Sequence, residues 1–444
     1  MLFSDNGVNC AAMRGWYRCF YFCVRGLELN TMIDSGSTGF MMLCATYVFL
    51  MTPGLAFFYG GLVRRKNVLN TMMSSVCIMG LASVLWVICG YSLAFGGNTH
   101  GIIGTLQNVF LNGVGWDPCS YADQIPALVF AAFQMMFAII TPALITGAVV
   151  GRMDFRALFL FILFWSFVVY YPLAHMVWGE GGFLAAIGSI DFAGGNVVHI
   201  SSGVSALVLS IILGKRTGAE HNSFLPHNIP FVVLGASLLW FGWFGFNAGS
   251  ALAADGLAAH AFMTTNTSAA TAMLSWMLID MIRDGKPSVV GACTGAVLGL
   301  VAITPGAGFV PLWAAFIIGA LVSPICYFAV SVIKVKFGYD DALDAFGCHG
   351  VGGIWGGIAT GIFAKSSINS VAQWDGLIFG DYRLFAAQVL SIVITIAIAV
   401  VGTLICAFIV KQIMPLRVDE RAERFGLDET MHGERAYPTF TGLD

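Results

Sequence analysis

Apolar segments of about twenty residues follow one another along most of the chain, separated by short polar or charged loops. About 20 consecutive apolar residues are enough for a helix to cross a bilayer. The pattern therefore predicts eleven transmembrane helices, over residues 38–62, 71–95, 126–150, 157–178, 192–214, 229–253, 261–282, 288–306, 311–333, 345–364 and 384–412.

The positions of lysine and arginine support this count. Basic residues follow every odd-numbered segment from the first to the ninth: Arg64, Arg65, Lys66, Arg152, Arg156, Lys215, Arg216, Arg283, Lys286, Lys334 and Lys336. On the other side, the loops 96–124, 179–182 and 255–260 have no lysine or arginine, and the last loop has only Lys365 and Arg383. Because cytoplasmic loops are enriched in basic residues, we expect the N-terminus outside and the C-terminus in the cytoplasm.

An odd number of helices permits an internal repeat of opposite orientation. Five helices that begin outside are followed by five that begin inside, and a long eleventh helix lies outside the repeat. Inverted repeats are common in transporters, whose sites lie near the bilayer midplane. The predicted fold class is an all-α membrane protein with eleven transmembrane helices, an inverted 5+5 repeat plus a long eleventh helix, N-out and C-in. In this pairing, segment five corresponds to segment ten.

Composition agrees with a membrane protein. The chain is 58% hydrophobic and 10% charged, whereas soluble domains carry about 25% charged residues. The formal net charge of -3 argues against nucleic acid as a partner. Residues 1–36 hold an aromatic segment too short to cross a bilayer and form an unassigned N-terminal extension. Residues 37–412 form the predicted membrane domain, and 413–444 form a cytoplasmic tail.

Two histidines stand at the starts of segments five and ten. His199 lies eight residues after Asp191, and His349 lies five residues after Asp344. Each histidine fits a hydrogen-bonded packing role or a metal site, but a metal site would want further ligands at suitable spacing. We predict instead a pore-lining pair with no metal and no cofactor, because a neutral ring offers one donor and one acceptor to a small solute or a proton. Both aspartates are predicted N-caps.

Aromatic residues cluster near the outer ends of other segments. Phe133 and Phe137 share one face of segment three, and Trp178 ends segment four. Phe246 and Ser250 share one face of segment six. Singly, each residue fits core packing or the aromatic belt of a membrane interface. Together, the aromatic faces and the hydroxyl form a candidate site for a small cation.

Five blocks of sequence are more specific than these patterns: residues 58–67, 175–178, 191–199, 242–250 and 346–351. They closely resemble the ammonium transporter family, in its Amt/Mep branch rather than the related Rh branch. The resemblance implies ammonium transport and a protein that is not an enzyme. It also implies that Trp178, Ser250 and Phe137 form an outer ammonium site. Phe137 and Phe246 would then be a stacked gate above the pore histidines, His199 and His349.

The physical chemistry of ammonium agrees with these roles. Taking a cation into a narrow apolar pore costs several kcal/mol or more, and an aromatic and hydroxyl site offsets part of that cost. Potassium lacks N–H donors, so a neutral histidine pair favours ammonia. The expected mechanism is deprotonation at the outer site, with the proton either staying outside or crossing by a separate route. Asp191 would support the outer site, and Glu180 adds a carboxylate that attracts cations.

The resemblance also implies partners. These are ammonium (with methylammonium as an analogue), the lipid bilayer of the cell membrane, two further copies in a homotrimer with one pore per subunit, and, in prokaryotic members, a PII-type regulatory protein at the cytoplasmic face. Two other functions remain open. In the first, the chain would be an ammonium sensor that signals through its tail. In the second, it would be a membrane enzyme that uses the histidines with a metal.

Overall fold

The computed structural model describes residues 33–219 and 224–437. Almost all of the unassigned extension, residues 1–36, lies outside them. The described chain is helical, with isolated bridges and no strand. Eight helices in these described ranges are long and apolar enough to cross a membrane: α1 (Ser35–Leu62), α2 (Arg65–Phe95), α3 (Ala127–Val149), α4 (Phe155–Ala186), α5 (Gly195–Leu213), α6 (Ile229–Gly249), α9 (Leu312–Phe337) and α11 (Arg383–Ile413).

Three further helices lie where the sequence predicts the remaining segments: α7 (Gly256–Asp284), α8 (Val289–Ile303) and α10 (346–363). They are less clear as membrane spans because of their length or polarity. Helix α8 has 15 residues, and α7 buries Thr264, Thr265 and Ser268. The all-helical membrane fold is therefore confirmed, whereas the count of eleven crossings stays a prediction.

The pattern of contacts between neighbouring helices occurs twice along the chain. Helix α1 packs against α2 and α3, and α6 packs in the same way against α7 and α8. Helix α3 also contacts α5, as α8 contacts α10. Helices α5 and α10 then contact each other and α11. The two helices that carry the histidines thus meet at the junction of two similarly packed halves.

Helices α5 and α10 both begin with a widened turn. The first turns are π-helical over Gly195–Ile200 and Phe346–Val351, and each contains one histidine. In α5 the backbone N–H of His199 donates to the carbonyl of Gly194, five residues earlier, at 3.0 Å. Such wide turns are uncommon in helices, and where they occur they often lie at functional sites.

The two histidine helices cross at a pair of glycines. A Cβ atom on Gly203 would lie 2.1 Å from the backbone nitrogen of Gly350 and 2.5 Å from its Cα. Backbone cannot yield as a flexible side chain can, so only glycine fits here. This close approach lets the ring of His199 reach that of His349.

Substituting alanine at Gly203 is expected to destabilise the protein strongly, by roughly 2 kcal/mol or more, because α5 and α10 must separate. The thermal midpoint of purified protein in detergent checks this. Gly80→Ala is the matched control, since a Cβ there meets nothing within 4 Å. Equal midpoints for the two variants would contradict the proposed close contact.

Candidate functional site

A vestibule of about 1230 Å³, part of it open solvent, lies on the face that carries Trp178. Phe137, Trp178 and Ser250 all line it. The indole N–H of Trp178 donates to the backbone carbonyl of Asp191 at 2.9 Å, which fixes the ring. The hydroxyl of Ser250 donates to the carbonyl of Phe246 at 2.9 Å, so its oxygen keeps lone pairs for another donor. The vestibule therefore combines aromatic faces with a hydrogen-bond acceptor.

Two phenylalanines close the bottom of the vestibule. The rings of Phe137 and Phe246 have centroids 4.4 Å apart and are tilted by 40°. Each side chain is only 1% exposed. Phe137 lines the vestibule, whereas Phe246 lines a second cavity beyond it. The stacked pair thus separates the two spaces, where the sequence predicts a gate.

The second cavity, here called the histidine cavity, has a volume of about 470 Å³ and contains both predicted pore histidines. The rings of His199 and His349 lie 5.3 Å apart and nearly parallel, at 16°. Most of the other lining side chains are apolar. Both nitrogens of His199 and Nδ1 of His349 are buried without a hydrogen-bond partner among the described residues. These ring nitrogens are thus available to a small hydrogen-bonding solute.

Trp243 is a further member of this cavity that the sequence did not single out. Its ring stacks on His199 at 5.5 Å, and Phe246 stacks on the same histidine at 6.2 Å. The indole N–H of Trp243 donates to the hydroxyl of Thr304 at 2.9 Å. The available signal is its spacing, because Trp243 precedes Phe246 by three residues and so shares its helix face.

The prediction that Asp191 caps segment five is confirmed. Its carboxylate accepts the backbone N–H groups of Gly194, Gly195 and Asn196 at 2.7 to 2.8 Å, and that of Val197 at 3.4 Å. These groups lie at the start of α5 and have no partner within the helix. The backbone carbonyl of Asp191 also accepts the indole N–H of Trp178. Asp191 therefore connects a wall of the vestibule to the start of α5, which carries His199.

A family model described as Ammonium Transporter Family matches residues 39–437. The chain belongs to the ammonium transporter family. The resemblance inferred from the sequence is therefore confirmed. Members of this family are transporters rather than enzymes, which confirms that prediction as well.

Individual relatives match this chain over most of its length. An ammonium transporter of Bacillus subtilis is 53% identical over 406 residues, which cover 91% of this chain and 99% of that protein. The crystal structure of Saccharomyces cerevisiae Mep2 matches with a TM-score of 0.80 and 39% identity, covering 85% of this chain and 86% of that one. A solved structure described as a sensor Amt protein matches with a TM-score of 0.82 and 27% identity, covering 89% and 98%.

The prediction that Asp344 caps segment ten is wrong. Asp341 does so: its carboxylate accepts the N–H groups of Ala345 at 3.1 Å and Phe346 at 2.7 Å. Asp344 instead has a positive φ of 57° and pairs with Lys334 at 2.6 Å. An N-cap residue has an extended backbone, so the left-handed backbone of Asp344 and its ion pair with Lys334 keep its carboxylate away from the free N–H groups of the helix.

A shared spacing identifies the correct aspartate. Asp341 precedes His349 by eight residues, as Asp191 precedes His199. The two helix starts of the transporter thus carry the same acid–histidine interval. Burial raises the pKa of Asp341, and the charge of Asp344 raises it further.

A further cavity of about 860 Å³, here called the tail-side cavity, begins where the histidine cavity ends. Leu343 lines both spaces. Asp340 also lines the tail-side cavity and forms a two-pronged ion pair with Arg216, at 2.7 and 2.9 Å. Burial alone would raise the pKa of Asp340, but the hydrogen bonds and charge of Arg216 and the charge of Arg152 hold it at about 2.

The described part of the tail packs on the same face. The N–H of Val418 donates to the carbonyl of Arg152 at 3.0 Å. The carboxylate of Glu423 accepts the N–H of Thr217 at 2.9 Å, and that of Asp428 accepts the N–H of Asn70 at 2.8 Å. The tail therefore contacts the loops after α3 and α5 and the start of α2.

His175, in contrast, is a packing residue. It is fully buried, with Nδ1 2.9 Å from the carbonyl of Ala94 and Nε2 3.3 Å from the side-chain oxygen of Asn98. Both of its nitrogens have partners, unlike those of His199. Hydropathy alone does not distinguish these two histidines, since each lies in an apolar segment; the correspondence of segments five and ten does.

Proposed function

We propose that this transporter moves ammonium across the membrane by conducting ammonia past its histidine pair. The observation that carries the proposal is the sequence of spaces. The vestibule, the Phe137–Phe246 pair and the histidine cavity lie one after another, with the stacked phenylalanines between the two spaces. The Trp178 face is the outer face in this proposal.

Ammonium binds first in the vestibule. Trp178 and Phe137, whose rings lie 5.8 Å apart and nearly perpendicular, offer aromatic faces to the cation. The hydroxyl oxygen of Ser250 accepts one N–H of the ion. Together these contacts replace part of the hydration shell, which a cation must lose before it enters an apolar passage.

The ion gives its proton to water in the open vestibule before the phenylalanine gate, because Phe137 and Phe246 offer no hydrogen-bond acceptor to the N–H groups of a desolvated cation. Neutral ammonia then passes the gate and donates to, or accepts from, the ring nitrogens of His199 and His349. Potassium has no N–H to donate and cannot lose its charge. Its entry into the apolar passage therefore carries the full free-energy cost of removing its water shell. The released proton either stays outside or crosses by a separate route.

The proposed membrane arrangement has eleven spans over residues 37–412, with the N-terminus outside and residues 413–444 as a cytoplasmic regulatory tail. Helices α1–α5 and α6–α10 form an inverted repeat, and α11 lies outside it. The recurring helix contacts and the equal Asp191–His199 and Asp341–His349 intervals support the repeat. The basic loops support the orientation.

The proposed partners are other copies of the chain and a cytoplasmic regulator. A homotrimer with one pore in each subunit would cover part of the exposed apolar surface of the outer helices, which includes Phe49, Phe241 and Phe316. A PII-type protein would bind at the tail face, where the tail-side cavity and the packed tail lie together.

A second candidate function is ammonium sensing. The 27% identity to a sensor Amt protein favours it. In this case the same vestibule binds ammonium, and the tail passes the signal to another protein. Binding without saturable transport would distinguish the sensor from the transporter.

Uptake of labelled methylammonium into reconstituted vesicles tests the proposal. The expected result is saturable uptake above that of empty vesicles, with competition by unlabelled ammonium and none by equal potassium. Uptake equal to that of empty vesicles would reject transport and favour the sensor.

Replacing Trp178 with leucine is expected to raise the KM for methylammonium roughly two- to thirtyfold, because a cation–π contact contributes about 0.5–2 kcal/mol. The measurement is initial uptake against concentration. Trp116→Leu is the matched control, since Trp116 is 83% exposed and does not line the vestibule. An unchanged KM for the Trp178 variant would show that this residue does not contribute to binding of the cation.

A further inference from the structure

Glu180 stands at the rim of the vestibule, in a turn that its neighbours hold in place. Its backbone N–H donates to the hydroxyl of Tyr121 at 3.1 Å. The next residue, Gly181, accepts from the side chain of Asn98 at 3.2 Å, and the turn closes from Gly182 N–H to Gly179 carbonyl at 3.0 Å. Because Tyr121 and Gly179 both line the vestibule, the position of Glu180 beside it is fixed.

The carboxylate of Glu180 is exposed and has no hydrogen bond or ion pair with any residue in the described ranges. Its charge nevertheless acts on the vestibule wall. Burial raises the pKa of Tyr121 to about 12, and the negative charge of Glu180 contributes to that rise against the opposing hydrogen bond from its N–H.

The other acids near the vestibule either have their oxygens occupied by hydrogen bonds or lie in the loop 96–124. Among the described residues, Asp191 is the one charged residue that lines the cavity, and its oxygens are occupied by the N–H groups at the start of α5. Within residues 33–219 and 224–437, no lysine or arginine lines the vestibule. The loop 96–124 contributes Asp117 and Asp123 but no basic residue. The described vestibule wall thus carries an acidic residue and no basic one, and Glu180 adds an exposed, unpaired carboxylate at its rim.

We propose that Glu180 determines the affinity of this transporter for its cation by drawing ammonium into the vestibule through its charge. The residue is two positions from Trp178, so the cation is concentrated where the aromatic site begins. Glu180 does not touch the bound ion or the pore and acts on capture rather than on passage. The inference rests on the proposed transport function.

The physical signature of this role is sensitivity to salt. Attraction between a solvent-exposed charge and an ion is screened over about 8–10 Å at ordinary ionic strength and over about 3 Å at 1 M. A carboxylate that bound ammonium directly, or that merely stabilised the turn, would affect KM at every salt concentration.

The test is initial methylammonium uptake by cells that produce the protein and have no ammonium transporter of their own, with osmolarity held constant by sucrose. At low ionic strength, Glu180→Gln is expected to raise KM about two- to threefold and Glu180→Lys about fivefold or more, with Vmax unchanged. Near 1 M salt the three KM values are expected to converge. Asp284→Asn is the control, because it removes an exposed carboxylate from the other face.

Equal KM values for wild type and Glu180→Gln at low ionic strength would overturn the inference. So would a difference that persists undiminished at high salt, because screening would then play no part. Absence of uptake by the wild-type protein is a separate result and would reject the proposed transport function itself.

Discussion

Replacing both His199 and His349 with alanine is expected to reduce methylammonium uptake at least tenfold. Ammonia inside the histidine cavity needs hydrogen-bond partners, and most of the other lining side chains are apolar. Leaving a small polar molecule without partners costs on the order of 1–3 kcal/mol for each group. A loss of 1.4 kcal/mol already corresponds to a factor of about ten.

Uptake into vesicles with matched amounts of protein checks this prediction. The control is His100→Asn, which changes an exposed histidine outside both cavities and keeps a residue type that tolerates its positive φ of 55°. The control is expected to match the wild type. Unchanged uptake by the double alanine variant would defeat the proposed passage along the histidines.

Substituting alanine for Asp191 is expected to remove both stability and transport. The change leaves the N–H groups of Gly194, Gly195 and Asn196 buried without their acceptor. Hydrogen bonds to a charged group contribute about 1.5–3 kcal/mol each, although their sum is not additive. We expect a loss of about 3 kcal/mol or more and uptake below one tenth of the wild-type rate.

The thermal midpoint in detergent and uptake in vesicles measure these two effects separately. Asp191→Asn keeps one acceptor oxygen and is expected to give intermediate values for both. Asp341→Ala tests the equivalent cap on α10 and is expected to destabilise less, because it removes two bonds rather than four. Wild-type stability of the Asp191→Ala protein would refute the capping role.

Helix positions were largely predictable from hydropathy, because a bilayer imposes one length on every crossing segment. The long eleventh segment, predicted over 384–412, forms Arg383–Ile413. Helices α7 and α8 lie close to their predicted segments but are less clear as membrane spans, because α7 is polar inside the protein and α8 is short. Their burial depends on neighbouring helices, which a local window of sequence does not contain.

Single site residues were harder to predict than helices. The local sequence marks Asp191 because it precedes a helix, but the same logic wrongly favoured Asp344 over Asp341. Asp344 fails as a cap because of its positive φ and its ion pair with Lys334, neither of which the local sequence shows. Comparing the two halves would have found Asp341, since its interval to His349 repeats that of Asp191 to His199.

The stacking of Phe137 on Phe246 is a product of the tertiary fold. These residues lie on α3 and α6, and nothing in either helix alone indicates that the rings meet. Their grouping was predicted through resemblance to the family. The position of Trp243 against His199 follows from the same packing and was not predicted.

The central claim is that this pore conducts ammonia and excludes potassium. The most direct test measures labelled methylammonium and labelled rubidium, a potassium analogue, in the same reconstituted vesicles. The account predicts saturable methylammonium uptake and rubidium uptake no greater than that of empty vesicles. Rubidium entry at a rate comparable to that of methylammonium would contradict it.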